Sequence, residues 1–163
     1  IENDDSLRSS SCRPQLIQPT QPTPMADPKE TPLSAQIINP PQLCKPIGFS
    51  HGVKAGPFVY LGGQTALDPD YQIVPGGIVE QFVQAFGNVL ATLEHAGGKP
   101  SDLIDVTIYL TDVDDYQRHG REIGKKWREM AGSEYPAMAG IGVTKLWQPE
   151  ALIEIQGVAY IGD

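Results

Sequence analysis

Cysteine, positive charge and long apolar runs are all scarce in this 163-residue chain, and each shortage excludes something. The only cysteines are Cys12 and Cys44. Two residues so far apart provide no metal-ligand spacing and no disulfide framework. Twelve Lys and Arg face twenty Asp and Glu, a formal net charge of −8. The imbalance sits mostly in the second part: residues 47–163 hold fifteen acids and eight bases. Nucleic-acid affinity rests on Lys and Arg neutralising phosphates, so a body this acidic, with no basic stripe, argues against such a partner. The apolar runs fall well short of the roughly 20 residues that span a bilayer, and no basic-then-apolar leader is seen. The expectation is a soluble, cytoplasmic protein with no membrane partner.

What is present divides into a tail and a body. Residues 1–34 carry six prolines among Ser, Thr, Gln and Asn, with little to bury, and are expected to be disordered. Met25 followed by Ala-Asp-Pro-Lys-Glu resembles a translation start, so residues 1–24 read as an added upstream extension; a flexible native arm is the alternative. Residues 35–163 are expected to form one domain, a length that encloses one sizeable core.

The end of the body has the clearest pattern. From Ala151 to Tyr160, Leu152, Glu154, Gln156, Val158 and Tyr160 alternate with Ala151, Ile153, Ile155, Gly157 and Ala159. A period of two over that length predicts a strand with two chemically different faces. Glu154, between two isoleucines, is either on a wet face or buried for a purpose; its neighbours alone favour the wet face. Tyr135 to Trp147 reads as another extended run, broken by Gly140 and Gly142. Upstream, strands are predicted at 36–38, 49–54 and 58–63, the last two joined by Ala55-Gly56-Pro57, with a short extended piece at 72–74. Ile78, Phe82, Phe86, Val89, Leu90 and Leu93 recur at helical spacing until Gly97-Gly98. A strand at 105–110 follows. Asp112 then starts a second helix, whose apolar stripe runs from Tyr116 to Met130.

The order β-β-(β)-α-β-α-β-β, with hairpins at both ends, predicts an α+β fold: one mixed sheet covered on one face by two helices. Phe58, Leu61, Val106 and Ile155 are too apolar together for a wet second face, so a partner subunit is expected to cover it.

In their order and spacing, several motifs resemble the Rid family (reactive intermediate deaminases, YjgF-like, with a chorismate-mutase-like fold). They are GFSHGVKAG at 48–56, YLGGQTALDPD at 60–70, AFGNV at 85–89, LTDVDDY at 110–116, YPA at 135–137 and IEIQGVA at 153–159. The resemblance runs from about Ile37 to Gly162. It implies a homotrimer with sheets around a central barrel and small-molecule clefts at the subunit interfaces. It also implies hydrolysis of enamines or imines to carbonyl compounds and ammonia, without cofactor or metal.

The departures from the family pattern point to altered specificity. The resemblance places Met138 where the deaminating branch has a substrate-binding arginine. A thioether offers neither charge nor a two-point hydrogen-bonded fork. Losing one side of a buried charge pair costs about 2–5 kcal/mol, roughly 30- to several-thousand-fold for an amino-acid-derived imine. Phe49 stands for a tyrosine, Gly62 for a small polar residue, Gly120 for an asparagine, and Ala139 and Gly140 for a serine and a cysteine-type position. Gly63 and Gln64 keep the family pattern. The expected ligand is therefore larger and more apolar, aromatic or heterocyclic, without the usual carboxylate. Glu154 aligns with the family's cleft glutamate and is the candidate catalytic group.

Other residues have competing readings. His51 would donate to an imine nitrogen or be a partly exposed strand histidine. His119 would line the site or merely pack. His95, at a helix end, suits the helix dipole. Lys145 would replace the lost charge or be solvated, and Trp147 would cap the cleft or pack at a subunit edge. Asp112, Asp114 and Asp115 look like a metal run, but a helix start explains them. Two functions remain open: an imine or enamine deaminase of shifted specificity, or a family member that binds a small molecule without catalysis. RNA cleavage is disfavoured by the acidic body.

Overall fold

The computed structural model describes residues 34–162, so the expected tail lies outside the described residues except for Ser34. Three strands come first: β1 (Gln36–Ile38), β2 (Gly52–Ala55) and β3 (Phe58–Thr65). Then follow α1 (Ile78–His95), β4 (Leu103–Leu110), α2 (Val113–Arg118), α3 (Gly120–Ala131), β5 (Ala137–Gly142) and β6 (Ile153–Tyr160). The strands form one six-stranded sheet in the order β1-β2-β3-β6-β4-β5. All neighbours are antiparallel except β4 and β5, so the sheet is mixed and the fold is α+β. No helix among the described residues is long and apolar enough to cross a membrane.

Local signals place most elements. Buried and partly exposed residues alternate along β6 as the sequence pattern requires. Asp112 Oδ1 accepts the Asp115 amide at 2.9 Å and caps α2, which accounts for the acidic run without a metal. Glu80 reaches back to the Gly77 amide at 2.8 Å and opens α1.

Three expectations need correction. The second helix is two helices, broken at His119. The Asp115 carbonyl there takes both the His119 amide (3.2 Å) and His119 Nδ1 (2.9 Å), and Gly120, a poor helix former, follows. The last two strands are not a hairpin, because β4 lies between them. β5 returns from the helices to pair parallel with β4, which a crossover permits and a tight turn does not. Finally, Leu61, Val106 and Ile155 do not face the open side of the sheet. They lie in the core with Phe82, Phe86, Val89 and Leu93 of α1. Trp127 of α3 stacks on Phe86 at 4.3 Å and joins the two helices over that face. Phe58, Tyr60 and Tyr160 occupy the open side and are partly exposed, and all of β5 is exposed at the sheet edge.

Candidate functional site

Where β3 crosses β6, β3 carries an extra residue. Leu61 pairs with Gly157 and Gln64 with Ile155, so the bulge falls at Gly62 and Gly63. A bulge bends its strand and opens the ladder, as it often does beside active sites. Both glycines are needed for close approach. A Cβ on Gly62 would come within 2.8 Å of the Ser50 carbonyl, and one on Gly63 would collide with Glu154 Oε1. The bulge thus leaves a gap that the Glu154 carboxylate fills.

The gap opens into a cleft of about 620 Å³, a size that suits a small organic molecule. Gly62, Gly63 and Glu154 lie on its strand side, with Phe49 and His51 from the segment before β2. Its lining among the described residues includes no lysine or arginine. Glu154 is half-buried, and desolvation pushes its carboxyl above the ordinary glutamate value.

His51 differs from both of its sequence readings. It lies just before β2 and is only 2% exposed. Nδ1 lies 3.1 Å from Gln64 Oε1 and Nε2 lies 2.8 Å from the Cys44 carbonyl. Both partners are carbonyl oxygens, so a neutral ring commits its single N–H to one of them; His51 packs the 44–51 segment against β3 and has no free donor for a ligand. Phe49 packs edge-on against it at 5.3 Å and remains 45% exposed at the cleft.

The remaining candidates lie elsewhere in the same chain. Met138, Ala139 and Gly140 lie on the exposed β5 edge, and Met138 pairs with Val106, whose side chain is in the core beneath the helices. His119 and Gly120 mark the α2–α3 break, and α2 packs against β5. The structure therefore unites Phe49, His51, Gly62, Gly63 and Glu154, and puts Met138, Ala139, Gly140, His119 and Gly120 at another edge. Lys145 is exposed and outside the cleft lining. One further expectation is modified, since α2 and α3 carry a short basic face including Arg118, Arg121 and Lys125. Ion pairs offset part of its charge, with Glu129 near Lys125 (3.8 Å) and Lys126 (3.1 Å).

Tyr71 and Gln148 are among the cleft residues that escaped a purely local reading. Tyr71 lies in what looks like an ordinary loop, after Asp68-Pro69-Asp70, where an aromatic residue among turn formers was the available signal. Gln148, next to Trp147, accepts from Thr65 Oγ1 at 3.0 Å and ties that segment to β3. Trp147 lines the cleft mouth, which favours capping over edge packing within this chain.

With the fold and cleft in view, three comparisons bear on the chain. The sequence profile of the endoribonuclease L-PSP family matches residues 43–161. A RutC family protein of Pyrococcus abyssi is 33% identical over 130 residues, covering 78% of this chain and 98% of that protein. A 2-iminobutanoate/2-iminopropanoate deaminase of Dermatophagoides farinae is 33% identical, covering 77% and 96%. Among solved structures, RidA from the Antarctic bacterium Psychrobacter superposes with a TM-score of 0.68 at 30% identity, covering 77% of this chain and 99% of RidA. E. coli TdcF with bound serine superposes at 0.70 and 26% identity, covering 78% and 99%. By these matches the chain belongs to the endoribonuclease L-PSP family, the YjgF/RutC/Rid group that its motifs resemble.

Proposed function

We propose that this protein is a homotrimer that hydrolyses an enamine or imine larger or less acidic than the small 2-imino acids, with Glu154 moving the protons. One observation carries this reading: a half-buried carboxylate with a raised pKa lies in a cleft whose described lining offers no cation. Within one chain, a substrate carboxylate would find no cation in that lining and would face Glu154 as a like charge.

In the reaction, water adds to the C=N carbon while Glu154 takes its proton, and the nitrogen is protonated to give a carbinolamine. A second proton transfer through Glu154 expels ammonia and leaves the carbonyl compound. An enamine is first protonated on carbon. A carboxyl lifted toward the working pH can serve as both base and acid. Gly63 holds space for the carboxylate, and His51 supports the wall behind it.

The trimer is part of the same proposal. It is supported by the bare β5 edge, by the apolar open face carrying Phe58, Tyr60 and Tyr160, and by the separation of the expected site residues into two places. A second copy bringing Met138–Gly140 and His119–Gly120 over Phe49 and Glu154 would reunite them.

The test is ammonia release from imines generated in situ by flavin-dependent oxidation of amines. 2-Iminobutanoate and an arginine-containing relative serve as references, with sedimentation to count chains. Accelerated hydrolysis of uncharged imines that is lost in Glu154→Gln supports the reading. Activity on 2-iminobutanoate equal to the relative's defeats the specificity claim. If no imine is hydrolysed and ligands still bind, this is a binding protein without catalysis.

A further inference from the structure

We propose that the cleft selects ligands bearing a planar aromatic ring, and that Tyr71 is the residue that imposes the selection. This rests on the cleft reading above and narrows its substrate class to uncharged imines of arylalkylamines.

The segment after β3 is a short hairpin. Leu67 and Ile73 form a bridge, and the Asp68 amide donates to the Gln72 carbonyl at 2.9 Å. Asp68 Oδ1 accepts the amides of Asp70 and Gln72, each at 2.9 Å, and the Tyr71 amide donates to the Asp68 carbonyl at 3.2 Å. That network closes a three-residue loop whose last residue must turn left-handed, a position that ordinarily suits glycine or asparagine. The residue there is Tyr71, at φ 63°, the only non-glycine residue with positive φ among those described. A bulky residue in that region is strained, and such strain concentrates at ligand sites. Tyr71 lines the cleft together with Phe49 and Trp147.

Three rings around one cleft would make an aromatic box, were they not so open. Trp147 is 91% exposed and Phe49 45% within one chain, so neither ring is covered by the chain's own residues. The segment just after Trp147 is held in place: Thr65 bonds Gln148, and Gln81 of α1 bonds the Glu150 carbonyl (3.0 Å) and the Leu152 amide (2.8 Å). A ring seated against these walls directs its polar end to Glu154, where an uncharged C=N group is tolerated and a carboxylate is not. Flavin-dependent oxidation of a primary arylalkylamine, which passes one hydrogen from carbon and one from nitrogen to the flavin, is the class of reaction that supplies such an imine. Water then gives the aryl-substituted aldehyde or ketone and ammonia.

The test is equilibrium binding to the full chain by calorimetry, with benzamide against cyclohexanecarboxamide, so that ring size is held while the π face is removed. The wild type should prefer benzamide by about two- to tenfold, the range expected for aromatic contact. Tyr71→Phe should keep that preference. Tyr71→Gly should bring the two ligands to near parity while its thermal midpoint stays level or rises, because glycine fits the left-handed position. Equal affinities in the wild type, or a preference that survives Tyr71→Gly, overturns the proposal. Imine hydrolysis without ring preference would sink this inference and spare the proposed reaction. Ring-dependent binding without hydrolysis of any imine would do the reverse.

Discussion

Replacing Gly63 with alanine should disable the cleft without disturbing the fold. An added Cβ would collide with Glu154 Oε1 and stand 2.9 Å from its Cδ and 3.2 Å from its Cγ. Ordinary carbon contacts are about 3.5–4.0 Å, so the carboxylate must swing away by roughly an ångström. Such a misplacement of a catalytic group costs about 10²-fold in rate. The atoms that must yield are the far end of a flexible side chain, and Gly63 does not have positive φ, so the backbone accepts alanine. Lower entropy of the unfolded chain then adds about 0.4–1 kcal/mol of stability. The expected result is a thermal midpoint within a few degrees of wild type and a loss of about 100-fold in kcat/KM for ammonia release. A double-mutant cycle makes this specific: once Glu154→Ala has removed the carboxylate, adding Gly63→Ala should cost nothing further. Full activity in Gly63→Ala, or an equal loss in the Glu154→Ala background, would refute the claim that Gly63 acts by making room for Glu154.

Other consequences can be tested separately. Met138→Arg should raise activity on 2-iminobutanoate by about 30-fold or more, the converse of losing one side of a charge pair, provided a neighbouring copy brings β5 to the cleft. An unchanged rate in a trimer would mean that residue 138 does not reach the ligand. Glu154→Gln should change how stability depends on pH. The folded pKa of Glu154 is raised above 4.5, so its contribution is complete below that value and is lost as pH rises through the folded pKa. The variant should match wild type near pH 4 and melt higher at neutral pH; an advantage independent of pH would exclude desolvation as the cause. Phe86→Ala removes a fully buried ring stacked between Phe82 and Trp127. It should cost about 3–5 kcal/mol, seen as a lower denaturant midpoint, and a loss under 1 kcal/mol would mean the helix layer can collapse into the space.

Glu154 and His51 show how far a local reading of the site could go. The period of two assigns Glu154 to the face opposite Ile153 and Ile155 because the pleat alone decides which way each residue points. Its half-burial and raised pKa come from the bulge on β3, which meets it from some ninety positions earlier in the chain. His51 carries no local sign of being buried. Its partners, Cys44 and Gln64, come from a loop and a neighbouring strand, so its nitrogens are occupied only once the sheet has formed.

Short-range patterning dictates which segments extend and which coil, because strand alternation, the stripe from Ile78 to Leu93 and the Asp112 cap act over a few residues. The sequence also determined the family, through motifs whose order survives substitution. Tertiary structure alone decided that β4 separates β5 from β6, that His119 breaks a helix, that Tyr71 is held left-handed at a cleft, and that Met138 and Glu154 lie apart within one chain. The strand order and the separation of Met138 from Glu154 depend on pairings between residues distant in sequence; the His119 break and the Tyr71 turn are set by short-range hydrogen bonds that leave no periodic trace along the chain.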